Sequence, residues 1–215
     1  MPWHPLERAA LADALIAVGP DAPTLCEGWS ARHLAAHVVL RETAPLVGAG
    51  VVLPALAERA EQRIQALGDG QTSPESWARL VQRVRTGPPA WSPMRWAGDA
   101  VQLVELFVHT EDVRRGGAAG YQVAPRERQR GHDDTLWRAL SRTARMLYRS
   151  CPVGVVLADG TGRDLRVRAA VPGDVIVRGP VGELLLHAFG RSAVAHVTVE
   201  GTTEAVASMD ASRPR

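Results

Sequence analysis

The chain contains no lysine and no asparagine, and all 25 of its basic residues are arginine. Both missing residues use A-rich codons, so a GC-rich coding sequence accounts for the two absences together. The arginine content is therefore no sign of nucleic-acid chemistry, and the formal net charge of +2 is dispersed, with no basic tail that would grip a phosphate backbone. Cysteine is scarce as well. Cys26 and Cys151 stand alone and far apart, which excludes a zinc ribbon or a disulfide framework and fits a reducing cytoplasm. Long hydrophobic runs are missing: the longest uncharged stretch, Thr43 to Ala57, is broken by Pro45, Gly48, Gly50 and Pro54 and is too short for a bilayer. The opening residues Met1-Pro2-Trp3-His4-Pro5-Leu6-Glu7-Arg8 have neither a signal-peptide layout nor a lipidation motif, so no membrane attachment is expected. Internal repeats and low-complexity tracts are absent. What remains is an ordinary soluble globular protein: 215 residues at 46% hydrophobic content can bury one large core or two small ones.

The first half reads as helices. Leu11, Ala14, Leu15 and Val18 recur at helical spacing in a segment from Leu6 that stops at Gly19-Pro20. Ser30 is placed to cap a second helix running to about Thr43, which Pro45 and two glycines end. Pro54 to Leu67 and Ser73 to Arg85 supply two more, the latter with proline at its first position. After a Pro-rich loop, a last helix starts near Asp99 and ends at Gly116-Gly117. Beyond a linker of Gly116 to Pro125 the pattern changes. A helix from Asp133 to Arg149 precedes three short runs with strand character around Val155, Val167 and Ile176. A helix at Val181–Phe189, a strand at His196–Val199 and a final helix complete a small α+β layer.

Three residues depart from the hydrocarbon expected on these helices. His37 sits in Leu34-Ala35-Ala36-His37-Val38-Val39-Leu40, and Glu105 and His109 lie within Val101 to His109. An ionised carboxylate buried alone costs several kcal/mol, so Glu105 calls for a cationic partner, such as a metal ion. Residues four apart on a helix project on one face about 5–6 Å apart, close enough for Glu105 and His109 to share an ion. His37 from a neighbouring helix would complete a set of three, and Asp112, on the same face as His109, could hold that residue's far nitrogen. Two imidazoles and a carboxylate suit zinc and leave a fourth position open. The same residues also fit a metal-free, buried hydrogen-bonded pair, and the pattern alone leaves both open.

Other polar residues read more plainly. His33, in the first turn of its helix, is expected to be solvated. Cys26 reads as a packed thiol unless its loop brings it to the site. His187 and His196 read as core or surface residues. Arg138, Arg142, Arg145 and Arg149 form a stripe opposite Leu136, Leu140, Ala144 and Leu147, which is the pattern of a solvated face. Of Trp29, Trp77, Trp91 and Trp96, the last two lie in or near the Pro-rich loop and could wall a pocket or simply pack.

The segments Thr24-Leu25-Cys26-Glu27-Gly28-Trp29-Ser30-Ala31-Arg32-His33-Leu34-Ala35-Ala36-His37 and Glu105-Leu106-Phe107-Val108-His109-Thr110-Glu111-Asp112-Val113-Arg114-Arg115 together resemble the metal-binding domain of mycothiol-dependent maleylpyruvate isomerases, within the wider DinB-like bundles. With Gly182-Glu183-Leu184-Leu185-Leu186-His187-Ala188-Phe189-Gly190-Arg191, the resemblance extends over nearly the full length and is closest to an uncharacterised metal-binding branch. It implies a DinB-like four-helix bundle over residues 1–118 and a C-terminal α+β domain over 119–215. It also implies a divalent metal, usually zinc, on His37, Glu105 and His109. The open position would take mycothiol or another low-molecular-weight thiol, acting on a small electrophile by isomerisation or thiol transfer. Arg191 matches a recurrent Gly-Arg and would pair with a carboxylate of cofactor or substrate. A non-catalytic protein with a structural metal or a sequestered ligand is the competing expectation. The chain departs from the pattern at His33, where an acidic residue is usual, and at Thr110, where the nearest branch often has histidine; neither is a proposed ligand. Substrate does not transfer with the fold.

Overall fold

The computed structural model describes residues 2–44, 54–95, 98–169 and 173–212. Pro45, Gly48, Gly50 and Trp96 lie outside the described residues. The chain divides into two compact units, Met1–Gly120 and Tyr121–Arg215.

The first unit contains five helices among the described residues: α1 (His4–Val18), α2 (Ala31–Thr43), α3 (Pro54–Asp69), α4 (Pro74–Thr86) and α5 (Asp99–Arg114). Local chemistry sets their ends. Ser73 precedes Pro74, and its hydroxyl accepts from the Ser76 amide at 3.2 Å, satisfying one of the orphan donors of α4. Ser30 caps α2, but its partner three residues on is an imidazole. His33 Nδ1 accepts from the Ser30 amide at 3.2 Å, as the usual Glu or Gln of a capping box would. An imidazole thus fills the role of the usual carboxylate or amide of a capping box, and this corrects the expectation that His33 is solvated: the residue is buried, with Nε2 3.1 Å from Asp69.

Four of the five helices share one core. Leu11 and Leu15 of α1, Leu34, Ala35 and Val38 of α2, Leu80 and Val84 of α4, and Leu106 and Val113 of α5 are buried together. Each leucine sealed there contributes about 1.5–3 kcal/mol. The fifth helix, α3, packs against α2 through Ala60, Ile64 and Ala36. With Leu34, Ala35 and Val38 committed to the core and Ala36 to α3, another side of α2 is left to carry His37 and Arg41, one turn apart.

The second unit is the expected α+β layer. Helix α6 (Arg130–Leu147) leads into β1 (Gly154–Ala158), β2 (Asp164–Arg168) and β3 (Asp174–Arg178), followed by α7 (Val181–Ala188), β4 (Thr198–Glu200) and α8 (Thr203–Ala211). The sheet order is β2-β1-β3-β4. β1 and β3 are parallel, and both outer pairs are antiparallel. Val155 and Leu157 of the central β1 are fully buried, whereas all of edge strand β4 is exposed. On α6, Leu136, Leu140 and Ala144 are buried, and the stripe of Arg138, Arg142, Arg145 and Arg149 is exposed, as its spacing predicts. No helix among the described residues is long and apolar enough to cross a membrane.

Candidate functional site

One oxygen organises the site. Glu105 Oε1, on α5, lies 3.4 Å from His37 Nε2, 3.5 Å from His109 Nε2 and 2.9 Å from Arg41 Nη1. The arginine contact is a close ion pair. The two imidazole distances are longer than the roughly 2.7–3.2 Å of an N–H···O bond. They match the edge, about 3.4 Å, of a tetrahedron whose metal–ligand arms are about 2.0–2.1 Å. One ligand atom from each of His37, Glu105 and His109 lies within 4.8 Å of the others. The side chains are 12%, 21% and 13% exposed, so the trio is largely but not wholly sealed from solvent.

Behind this trio stands a fully buried carboxylate. Asp112 Oδ2 is 3.0 Å from His109 Nδ1 and receives that ring's N–H, which leaves Nε2 to face Glu105 and His37. Fixing the outer nitrogen in this way sets the tautomer that a metal needs at the inner one. The same oxygen accepts the Cys26 thiol at 3.3 Å. Cys26 therefore belongs to the site's surroundings, and its loop is docked to achieve this: the Leu25 amide donates to the Asp112 carbonyl at 3.1 Å. Gly116 makes room, since a Cβ at that position would lie 2.1 Å from the Pro23 carbonyl oxygen. His37 has no such anchor. Its buried Nδ1 finds no hydrogen-bond partner among the described residues, and its ring is held by Trp29, 5.0 Å away, and by an edge-to-face contact with His109 at 5.2 Å.

The three titratable groups are driven apart. Burial pushes Glu105 up, but the two imidazoles and the Arg41 charge outweigh it and hold the carboxyl well below the usual carboxylate range. Burial pushes His109 down, yet Asp112, Cys26 and Glu105 favour its charged form and place it well above the ordinary imidazole value. His37 is lowered: burial dominates, the Glu105 contact offsets only part of it, and the charges of His109 and Arg41 add to the depression. Without a metal the trio is thus a carboxylate, an imidazolium and a neutral imidazole. A metal ion takes the place of the His109 proton.

The structure places His37, Glu105, His109 and Asp112 side by side, as their spacing leads one to expect, and adds Arg41 to them. Glu105 already has a cationic partner in Arg41, so its burial does not by itself demand a metal; the signal lay in Arg41's position four residues after His37 on the same helix. Arg191 stands after α7 in the second unit, where Nη1 donates to the Phe189 carbonyl at 2.6 Å. His187 is buried against the Tyr148 hydroxyl at 2.8 Å. His196 stacks on Tyr121, with ring centroids 4.7 Å apart. Trp77 packs in the core of the first unit and Trp91 is exposed.

No protein-family model matches the sequence, and no curated protein does so either. Solved structures do. The mycothiol-dependent maleylpyruvate isomerase superposes with a TM-score of 0.59 at 18% identity, covering 92% of this chain and 90% of that one. A variant of that enzyme with a histidine replaced by alanine gives a TM-score of 0.60 with the same identity and coverage. At this identity the likeness speaks to architecture: the chain has the α+β fold of the mycothiol-dependent maleylpyruvate isomerase.

Proposed function

We propose that the protein is a metalloenzyme in which His37, Glu105 and His109 hold a divalent metal, zinc being the expected ion, with Asp112 orienting His109. A low-molecular-weight thiol of the mycothiol type takes the open position and acts on a small electrophile by isomerisation or thiol transfer. The observation that carries this reading is the approach of two imidazole Nε2 atoms to one carboxylate oxygen at 3.4 and 3.5 Å, too long for good hydrogen bonds and right for a shared ion. The shared fold with an enzyme named for its mycothiol dependence supports the thiol. When bound, zinc supplies a positive charge that keeps a coordinated thiol deprotonated, and so nucleophilic, at neutral pH. The chain's residues supply the rest. Asp112 accepts the His109 Nδ1 proton and fixes that ring, Trp29 walls one side of His37, and the partial exposure of the trio admits the reactants.

A second reading has an observation of its own. Arg41 neutralises Glu105 at 2.9 Å, so the trio is also electrostatically tolerable with no metal at all. Elemental analysis of purified protein, joined to a mycothiol titration of the same sample, separates these readings. The enzyme reading expects one zinc per chain, its loss in His109→Ala, and a thiol that perturbs the metal's coordination. Stoichiometric zinc retained by His109→Ala would sink the ligand assignment. Zinc that no thiol perturbs leaves a non-catalytic metal protein, and no metal at all leaves the arginine-compensated bundle.

A further inference from the structure

Arg41 is the feature of the first unit that the proposed function does not use. Its Nη1 lies 2.9 Å from Glu105 Oε1, the oxygen on which both imidazoles converge, and this is its one ion pair among the described residues. It lies one turn beyond His37 and is 18% exposed, much as Glu105 is. The neighbouring carboxylate, Glu42, is already taken by Arg8. A guanidinium and a metal ion are both cations, and here they are directed at one oxygen.

We propose that Arg41 is a built-in counter-cation that competes with the metal for Glu105. It stabilises the carboxylate in the metal-free protein and weakens metal loading, so that the fold does not depend on the metal and the ion is exchangeable. This rests on the metal reading of the trio. Two effects act in one direction. The ion has to displace or share the Arg41 ion pair at Oε1, and the guanidinium charge then remains a few ångströms from the bound cation, where like charges repel. Removing the charge relieves both. A residue that merely propped Glu105 in place would have the opposite effect, since its loss would disorder a ligand and weaken the site.

The test is a zinc titration against a competing chelator, with cobalt as a spectroscopic probe, on the full chain and on Arg41→Met. Arg41→Gln, which drops the charge but keeps a hydrogen-bond donor, serves as the second variant and decides the matter if Arg41→Met does not fold. Arg41→Met is expected to bind zinc about tenfold more tightly or better, the direction set by the lost repulsion. Its metal-free melting temperature should fall while the rise on adding zinc grows. Arg41→Gln should tighten binding to a smaller extent. Affinity that is unchanged or weaker in the folded variants overturns the competition, while zinc bound by wild type in the same titration keeps the metal reading standing. If neither wild type nor variants bind zinc or cobalt, the metal reading itself fails and takes this inference with it.

Discussion

Helix α2 carries two arginine–carboxylate encounters one residue apart, and they differ in what surrounds them. At Arg41 the partner is Glu105, approached in addition by two imidazole nitrogens, with side chains 12–21% exposed. At Glu42 the partner is Arg8, both side chains are under a tenth exposed, and the guanidinium's second arm donates to the Val84 carbonyl at 2.9 Å. The second pair is buried: it ties α1 to α2 and to the end of α4. The first has more nitrogen than one carboxylate oxygen can satisfy. Their acidities separate as well. Burial raises Glu42 and Arg8 only partly offsets it, whereas the cationic surroundings of Glu105 overcome its burial. A buried carboxylate is thus not a site by virtue of burial. Surplus, reachable donors make it one.

The sharpest way to break this comparison is to open the buried pair. Arg8→Met leaves Glu42 buried without a partner and should cost about 3–5 kcal/mol in urea unfolding, the usual penalty for removing one half of a buried ion pair. Metal content at the other pair should stay as in wild type. A loss under about 1 kcal/mol would mean that Arg8 does not seal the core as described. The complementary change acts on the open pair. Asp112→Asn keeps the shape but weakens the acceptor that fixes His109, and zinc affinity should fall about 10- to 100-fold, as for other outer carboxylates on metal-binding histidines. Unaltered affinity would show that the His109 tautomer is set elsewhere.

Much of this was legible before any coordinates. The helices of the first half, the order of elements in the second and the spacing of Glu105, His109 and Asp112 follow from periodicity and capping residues, which are local properties. What stayed hidden depended on contacts between elements. His33 was misread because an imidazole in a first turn usually faces water. Here it serves as the capping-box acceptor and fills a space kept open by Gly68, where a Cβ would come within 2.3 Å of its ring. Arg41 carries no signal of its own in the sequence, and the place of Cys26 hangs on a loop whose path no local pattern sets. The loop docking at Gly116 is what carries Cys26 to Asp112. The parallel pairing of β1 with β3 had no counterpart in the strand pattern, which gives faces but not partners.

The smallest effect expected is also the most diagnostic of the open pair. In the metal-free protein His109 holds its proton above the ordinary imidazole value of 6.5, so its contribution to stability is full below that pH and is lost as pH rises through the folded value. His37 is shifted the opposite way. Its contribution is full above 6.5 and is lost as pH falls through its lowered folded value, because the unfolded chain then takes up a proton that the folded one refuses. The two histidines therefore put a shallow stability maximum near pH 6.5, with neither limb able to exceed about 1.4 kcal/mol per pH unit. Unfolding free energies of the metal-free protein across pH 5.5 to 8.5 measure it. His109→Gln should flatten the upper limb and spare the lower, and saturating zinc should abolish the upper limb by holding His109 unprotonated in the folded state. An upper limb that survives both His109→Gln and zinc would move the proton, and with it the ligand assignment, away from His109.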